Sequence, residues 1–117
     1  MIGPKELAEE VALLLDSKKG IDIEVIKVED LTIIADYFVI CTGTSSTHVK
    51  ALSDEVEFKL RENKAISPLR IEGYTTSSWI LMDYGSVIVH IFTADTRKFY
   101  SLERLWSDAP KVDINNK

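Results

Sequence analysis

Six residues in one stretch of this chain can exchange protons, pair charges or anchor a partner: Trp79, Asp83, His90, Arg97, Tyr100 and Glu103. All lie in WILMDYGSVIVHIFTADTRKFYSLERLW, Trp79 to Trp106. Strands built only for packing fill such a run with aliphatics. This one holds both tryptophans of the chain and one of its two histidines. An imidazole beside a carboxylate passes protons well, and His90 with Asp83 or Glu103 would make that pair. The same pair is common as a satisfied structural bond. No nucleophile neighbours His90 in VIVHIFT, which favours the structural role.

Nucleotidyl transfer is a second chemistry to weigh. Gly43-Thr44-Ser45-Ser46 follows a buried strand and opens a helix, an arrangement that resembles the nucleotidyltransferase architecture. Backbone N–H groups in such a loop can hold phosphate. The reaction also needs Asp-x-Asp or Asp-x-Glu on a strand, to clamp metal ions against a triphosphate. The expectation is that no strand offers this pair: Asp83 stands alone, and Asp54 and Glu55 fall on a helix. No Lys follows the loop as in a P-loop, and Ser45 or Ser46 suits a helix cap. Cys41, the single cysteine, has no disulfide or metal-ligand partner and reads as a buried strand thiol. No cofactor and no metal are expected. A nucleotide-binding protein using Gly43 to Ser46 stands as the alternative function.

The third reading is a binding face. Aromatics and Arg anchor protein interfaces, while rim charges contribute less. Trp79, Tyr84, Tyr100 and Trp106 supply anchors, and Asp83, Glu103 and Asp108 supply acids for a basic partner. Trp79, between Ser78 and Ile80 on an alternating strand, should be partly exposed. Trp106, on a helical apolar face, is as readily a core filler.

These groups must be positioned by the elements around them. Gly3-Pro4 opens a helix over 4–18, with Leu7, Val11, Leu14 and Leu15 on one face. Lys18, Lys19 and Gly20 close it. Residues 22–28 alternate, as in an edge or near-edge strand. Residues 36–42 do not, as in a strand covered on both faces. Helix two spans 46–63, buried along Val49, Leu52, Val56 and Leu60, with His48 solvated or capping in its first turn. A short strand, LRIEG, precedes the hairpin SWILMDY–SVIVHIFT, whose turn uses Gly85. Two-residue and three-residue turns both fit. Parity puts Trp79, Leu81 and Asp83 on one face, and Ile88, His90 and Phe92 together on another. Thr93 to Ser107 reads as one or two short helices with Phe99, Leu102, Leu105 and Trp106 inward. The whole is an α/β (α+β) domain over 1–108. It has a mixed five-stranded sheet, with helix two crossing between strands two and three. Residues 109–117 read as a mobile tail.

Composition narrows the partners. The 117 residues suit one domain, with 45% apolar and 28% charged residues. No run is apolar and long enough to cross a membrane, and the N-terminus lacks a signal-peptide pattern, so a cytoplasmic protein is expected. Net charge is −5, and the basic residues are scattered. Direct nucleic-acid binding is disfavoured, whereas a basic protein partner is electrostatically suited. A homodimer joined through Trp79 and its neighbours stays open.

Taken together, the segments resemble a known family. Trp79-Ile-Leu-Met-Asp83-Tyr84-Gly85, Val87-Ile-Val-His90-Ile-Phe92, Arg97, Tyr100, Leu102-Glu103 and Leu105-Trp106 match the ribosomal silencing factor, or Iojap-like, pattern. So do Asp36-Tyr-Phe-Val-Ile40, Thr42-Gly43, Ser45 and Glu72-Gly73. The resemblance runs from about residue 4 to 108. It implies a noncatalytic translation repressor with a nucleotidyltransferase-like fold lacking catalytic carboxylates. It also implies binding to the large ribosomal subunit through that subunit's protein fourteen, and a block on small-subunit joining when nutrients are short. Under that reading Trp79, Asp83, Tyr84, His90, Tyr100, Glu103 and Trp106 are the contact candidates. Arg97 and Phe92 hold the site in shape.

Overall fold

The computed structural model describes residues 2–100 and 110–112. Helix α1 (Pro4–Ser17) begins with Pro at the position where its missing N–H costs nothing. It buries Leu7, Ala8, Val11, Ala12 and Leu15, a face set by the 3.6-residue period. After it Lys19 takes the left-handed backbone, φ 66°. Gly20 serves closeness instead: a Cβ there would lie 2.5 Å from Cys41 Sγ.

Strands β1 (Ile21–Lys27) and β2 (Tyr37–Gly43) pair antiparallel, with a bulge between Ile21 and Glu24. All seven residues of β2 are buried, as its unalternating sequence required. Helix α2 (Ser46–Lys64) starts at a Ser45 cap and ends at Ala65 in the left-handed region. Ala65 and Ile66 N–H groups donate back to Arg61 and Leu60 carbonyls, which satisfies the last-turn acceptors.

The chain then forms β3 (Arg70–Glu72), β4 (Trp79–Asp83) and β5 (Val87–Thr93), an antiparallel meander. Tyr84 N–H donates to Val87 O at 2.9 Å and Gly85 has φ 85°, so the hairpin closes with the two-residue loop Gly85-Ser86. Strand β5 lies parallel to β2, with Ile40 beside His90. Helix α2 therefore carries the chain past β5 and β4 to the far edge. Helix α3 (Ala94–Tyr100) follows β5 directly.

A sixth strand, β6 (Lys111–Val112), pairs with β1, so the sheet order is β3-β4-β5-β2-β1-β6. Five strands and an irregular 109–117 segment were expected. A two-residue strand shows no period, so it left no mark in the sequence. Residues 101–109, including Glu103, Trp106 and Asp108, lie outside the described residues, as do 113–117.

The sheet separates two cores. On one face Val25, Val39, Cys41, Ile80, Met82, Val89 and Ile91 pack under α1 and α2. On the other, Ile26, Phe38, Ile40, Ile88 and Phe92 form a second cluster joined by Trp79 and Leu81. The candidate residues divide between these faces.

Candidate partner-binding surface

Strand β4 alternates half-buried and buried residues, and Trp79 is one of the half-buried set. Register places it opposite Phe92, with Leu81 opposite His90 and Asp83 opposite Ile88. The Trp79 ring centre is 4.8 Å from that of Phe92 and 4.7 Å from that of Tyr100 on α3. Its indole N–H donates to His90 Nδ1 at 3.1 Å. Phe92 is fully buried beneath it. Trp79 thus stands in one orientation, tied at its polar end and held by tilted ring contacts with Phe92 and Tyr100. Phe99 meets Tyr100 edge-on at 5.0 Å and is largely exposed.

His90 is a positioning group here. Because Nδ1 accepts from Trp79, the neutral ring carries its proton on Nε2. That atom is buried and has no hydrogen-bond partner among the described residues. The ring sits edge-on to Phe38 at 4.9 Å. Burial pushes its pKa down to about 4, since the charged form would lose its hydration. Among the described residues no carboxylate bonds to it. Asp83 is occupied elsewhere: Oδ1 accepts from Gly85 N–H at 2.8 Å and Oδ2 is 3.6 Å from Arg70 Nη2. The His90–Asp83 acid–base pair is therefore not formed.

Two contact candidates need correction. Tyr84 follows Asp83, so it turns to the helix-covered face and packs in that core with a buried hydroxyl. Burial also pushes its phenol well above the usual range. His90 is almost wholly buried and offers Trp79, not itself, to the outside. Arg97 is buried on α3. Its Nη1 donates to Asp22 O at 2.7 Å and to Thr42 Oγ1 at 2.8 Å, and its Nη2 lies 3.5 Å from Glu24 Oε2.

Three residues of this surface were not among the contact candidates read from the sequence. Leu81 faces the same way as Trp79, and with Glu72 and Gly73 the two line an open groove of about 250 Å³. Gly73, φ 80°, sits where any Cβ would collide with the Trp79 carbonyl. Phe99 reads as an inward helical residue but points out. The Glu72-Gly73 pair was the available signal, because glycine beside a strand marks a close backbone approach.

The Gly43–Ser46 loop is already engaged. Thr44 N–H donates to His48 Nδ1 at 2.8 Å, and His48 N–H donates to Ser45 Oγ at 3.1 Å. The other ring nitrogen, Nε2, bonds Lys18 O at 2.9 Å. His48 is thus a built-in strap from the α2 start to the α1 end, not a solvated side chain. Gly43 is small because a Cβ there would lie 2.8 Å from Val49 Cγ2; the requirement is helix packing. One Asp-x-Glu does occur on a strand, against expectation: Asp22-Ile23-Glu24. The β1 bulge breaks it, and Glu24 is paired with Arg97 and with Lys111 Nζ at 3.0 Å. Among the described residues no group of three His, Cys, Asp or Glu is placed to hold a metal. Cys41 is buried, and burial pushes its thiol up to about 12, which leaves little thiolate for nucleophilic attack.

Comparison with known proteins gives the family and the fold. The family model described as "Ribosomal silencing factor during starvation" matches residues 2–117. A ribosomal silencing factor of Bacillus subtilis is 38% identical over 111 residues, 95% of this chain and 93% of that one. A mouse protein named "Mitochondrial assembly of ribosomal large subunit protein 1" is 34% identical over 108 residues, 91% of this chain and 47% of its own length. The crystal structure of a Chromobacterium violaceum protein superposes with a TM-score of 0.86 at 31% identity, covering 91% of this chain and 88% of that one. With a family match along nearly its whole length, the chain belongs to the ribosomal silencing factor (RsfS) family.

Proposed function

We propose that this protein represses translation in the cytoplasm by binding the large ribosomal subunit through that subunit's protein fourteen, where it blocks small-subunit joining. The observation that carries the reading is the fixed aromatic surface of Trp79 over Phe92 and Tyr100, with Phe99 exposed beside it. Rigid aromatics give contact area at little entropic cost. Trp79 and Tyr100 are the described anchors, with Glu103 and Trp106 as further contacts on the segment that follows. Asp83 keeps its turn in shape and can meet a cation at its rim. His90, Phe92 and Arg97 position the anchors. The net charge of −5 suits a basic protein contact.

Occupancy alone is enough for the mechanism. A body of 34 × 32 × 28 Å between two subunits prevents their approach without any reaction. The family's name and the ribosomal names of its relatives support the reading. Co-sedimentation with purified large subunits tests it. Wild type should pellet with the subunits and Trp79→Ala should lose at least about 2 kcal/mol of affinity. Failure of the wild-type protein to pellet would refute the proposal. Calorimetry with ATP or CTP and magnesium should show no heat, because Thr44 N–H is taken by His48 Nδ1 and Ser45 Oγ caps the helix through His48 N–H.

A further inference from the structure

The loop between β1 and β2 carries an apolar patch that the aromatic surface does not explain. Ile33 is fully exposed, Ile34 is 65% exposed and Leu31 is 49% exposed. Single exposed aliphatics are ordinary, but three within four residues form a patch. Nor is the loop slack. Leu31 and Thr32 N–H groups donate to Val28 O, Ile34 N–H to Thr32 Oγ1, and Asp36 N–H to Ser86 O. The patch is therefore held out ready-made, at low ordering cost to a partner.

Its surroundings select the occupant. Glu29 and Asp30 are exposed beside it and Asp36 is half-buried at its end; Lys27 pairs with Glu29 at 3.1 Å. The loop is net acidic. Nucleic acid and anionic lipid would be repelled, and a second copy would set the same acids against themselves. A basic protein surface with an apolar centre is what remains. The patch also lies at the opposite strand ends from Trp79: Asp36 bonds Ser86 in the β4–β5 turn, whereas Trp79 pairs with Phe92. Four residue-to-residue rises take the strand from Ile88 to Phe92, about 13 Å, so one broad partner can cover both.

We infer that Leu31, Ile33 and Ile34 form a second contact on the same large ribosomal subunit, docking onto a basic ribosomal protein; this rests on the proposed function. The double variant Ile33→Ser with Ile34→Ser tests it. Both side chains stand outside the core, so its thermal melting should match wild type. Its affinity for purified large subunits should fall at least about tenfold. Binding within twofold of wild type would overturn the second contact while leaving the proposed function intact. Wild-type protein that ignores large subunits would overturn both. A wild-type dimer that the double variant dissolves, seen by sedimentation velocity, would assign the patch to self-association instead. Flotation of wild type but not the variant with phosphatidylcholine vesicles would assign it to a membrane, and either result overturns the inference.

Discussion

The burial of His90, which accepts a hydrogen bond from Trp79, makes stability depend on pH in a definite direction. Burial holds the folded-state pKa at about 4, below the ordinary 6.5. Between those values the unfolded chain binds a proton that the folded protein refuses. The contribution is therefore whole above about pH 6.5 and is lost as pH falls toward 4, by about 3 kcal/mol for a shift of that size. Urea unfolding at pH 7.5 and pH 4 should show wild type losing that much more than His90→Gln. The same bond sets the result of Trp79→Phe. The ring contacts survive, but Nδ1 is left buried without a donor, which should cost about 1–3 kcal/mol of stability. Side-chain parity made part of this legible, since it placed Trp79 with Asp83 and His90 with Phe92. It could not show that Asp83 would turn to Gly85 and Arg70, because a carboxylate's choice among nearby donors is decided by the folded turn.

The described part of helix α3, Ala94–Tyr100, owes its place to tertiary contacts. Arg97 fastens it across β1 and β2, through a carbonyl, a hydroxyl and a carboxylate. Arg97→Met should keep the volume but leave Asp22 O and Thr42 Oγ1 without that donor. We expect about 3 kcal/mol of lost stability and faster amide exchange across 94–100, read by mass spectrometry. Tyr100 would lose its fixed place against Trp79, so large-subunit binding should weaken as well. At this scale the sequence was informative wherever hydrophobic period persisted for several residues. The α1 and α2 faces, the doubly covered β2 and the hairpin all follow from such runs. Periodicity is silent about pairing between distant strands, so the β2–β5 neighbourhood and the two-residue β6 were not readable. The His48 strap joins residues 30 apart in sequence and was invisible for the same reason.

For the molecule as a whole, the proposed block by occupancy has consequences that catalysis would not share. A catalyst acts at small amounts and its effect grows with time. An obstacle acts in proportion to the sites it fills. Light scattering during subunit joining should fall with added protein and reach its floor near one protein per large subunit, with no further change on waiting. Charge sets the approach: with a net −5 the protein should be drawn to basic surfaces, more slowly as salt rises. Raising ionic strength from low to physiological should therefore reduce the association rate several-fold and change the dissociation rate little. The proposed aromatic anchors work the other way, because apolar contacts resist salt. Trp79→Ala should speed dissociation about thirtyfold or more and leave the salt dependence of association unaltered. If the two effects were reversed, with Trp79 governing arrival and charge governing departure, contact through the aromatic surface would be the wrong description of how the protein holds on.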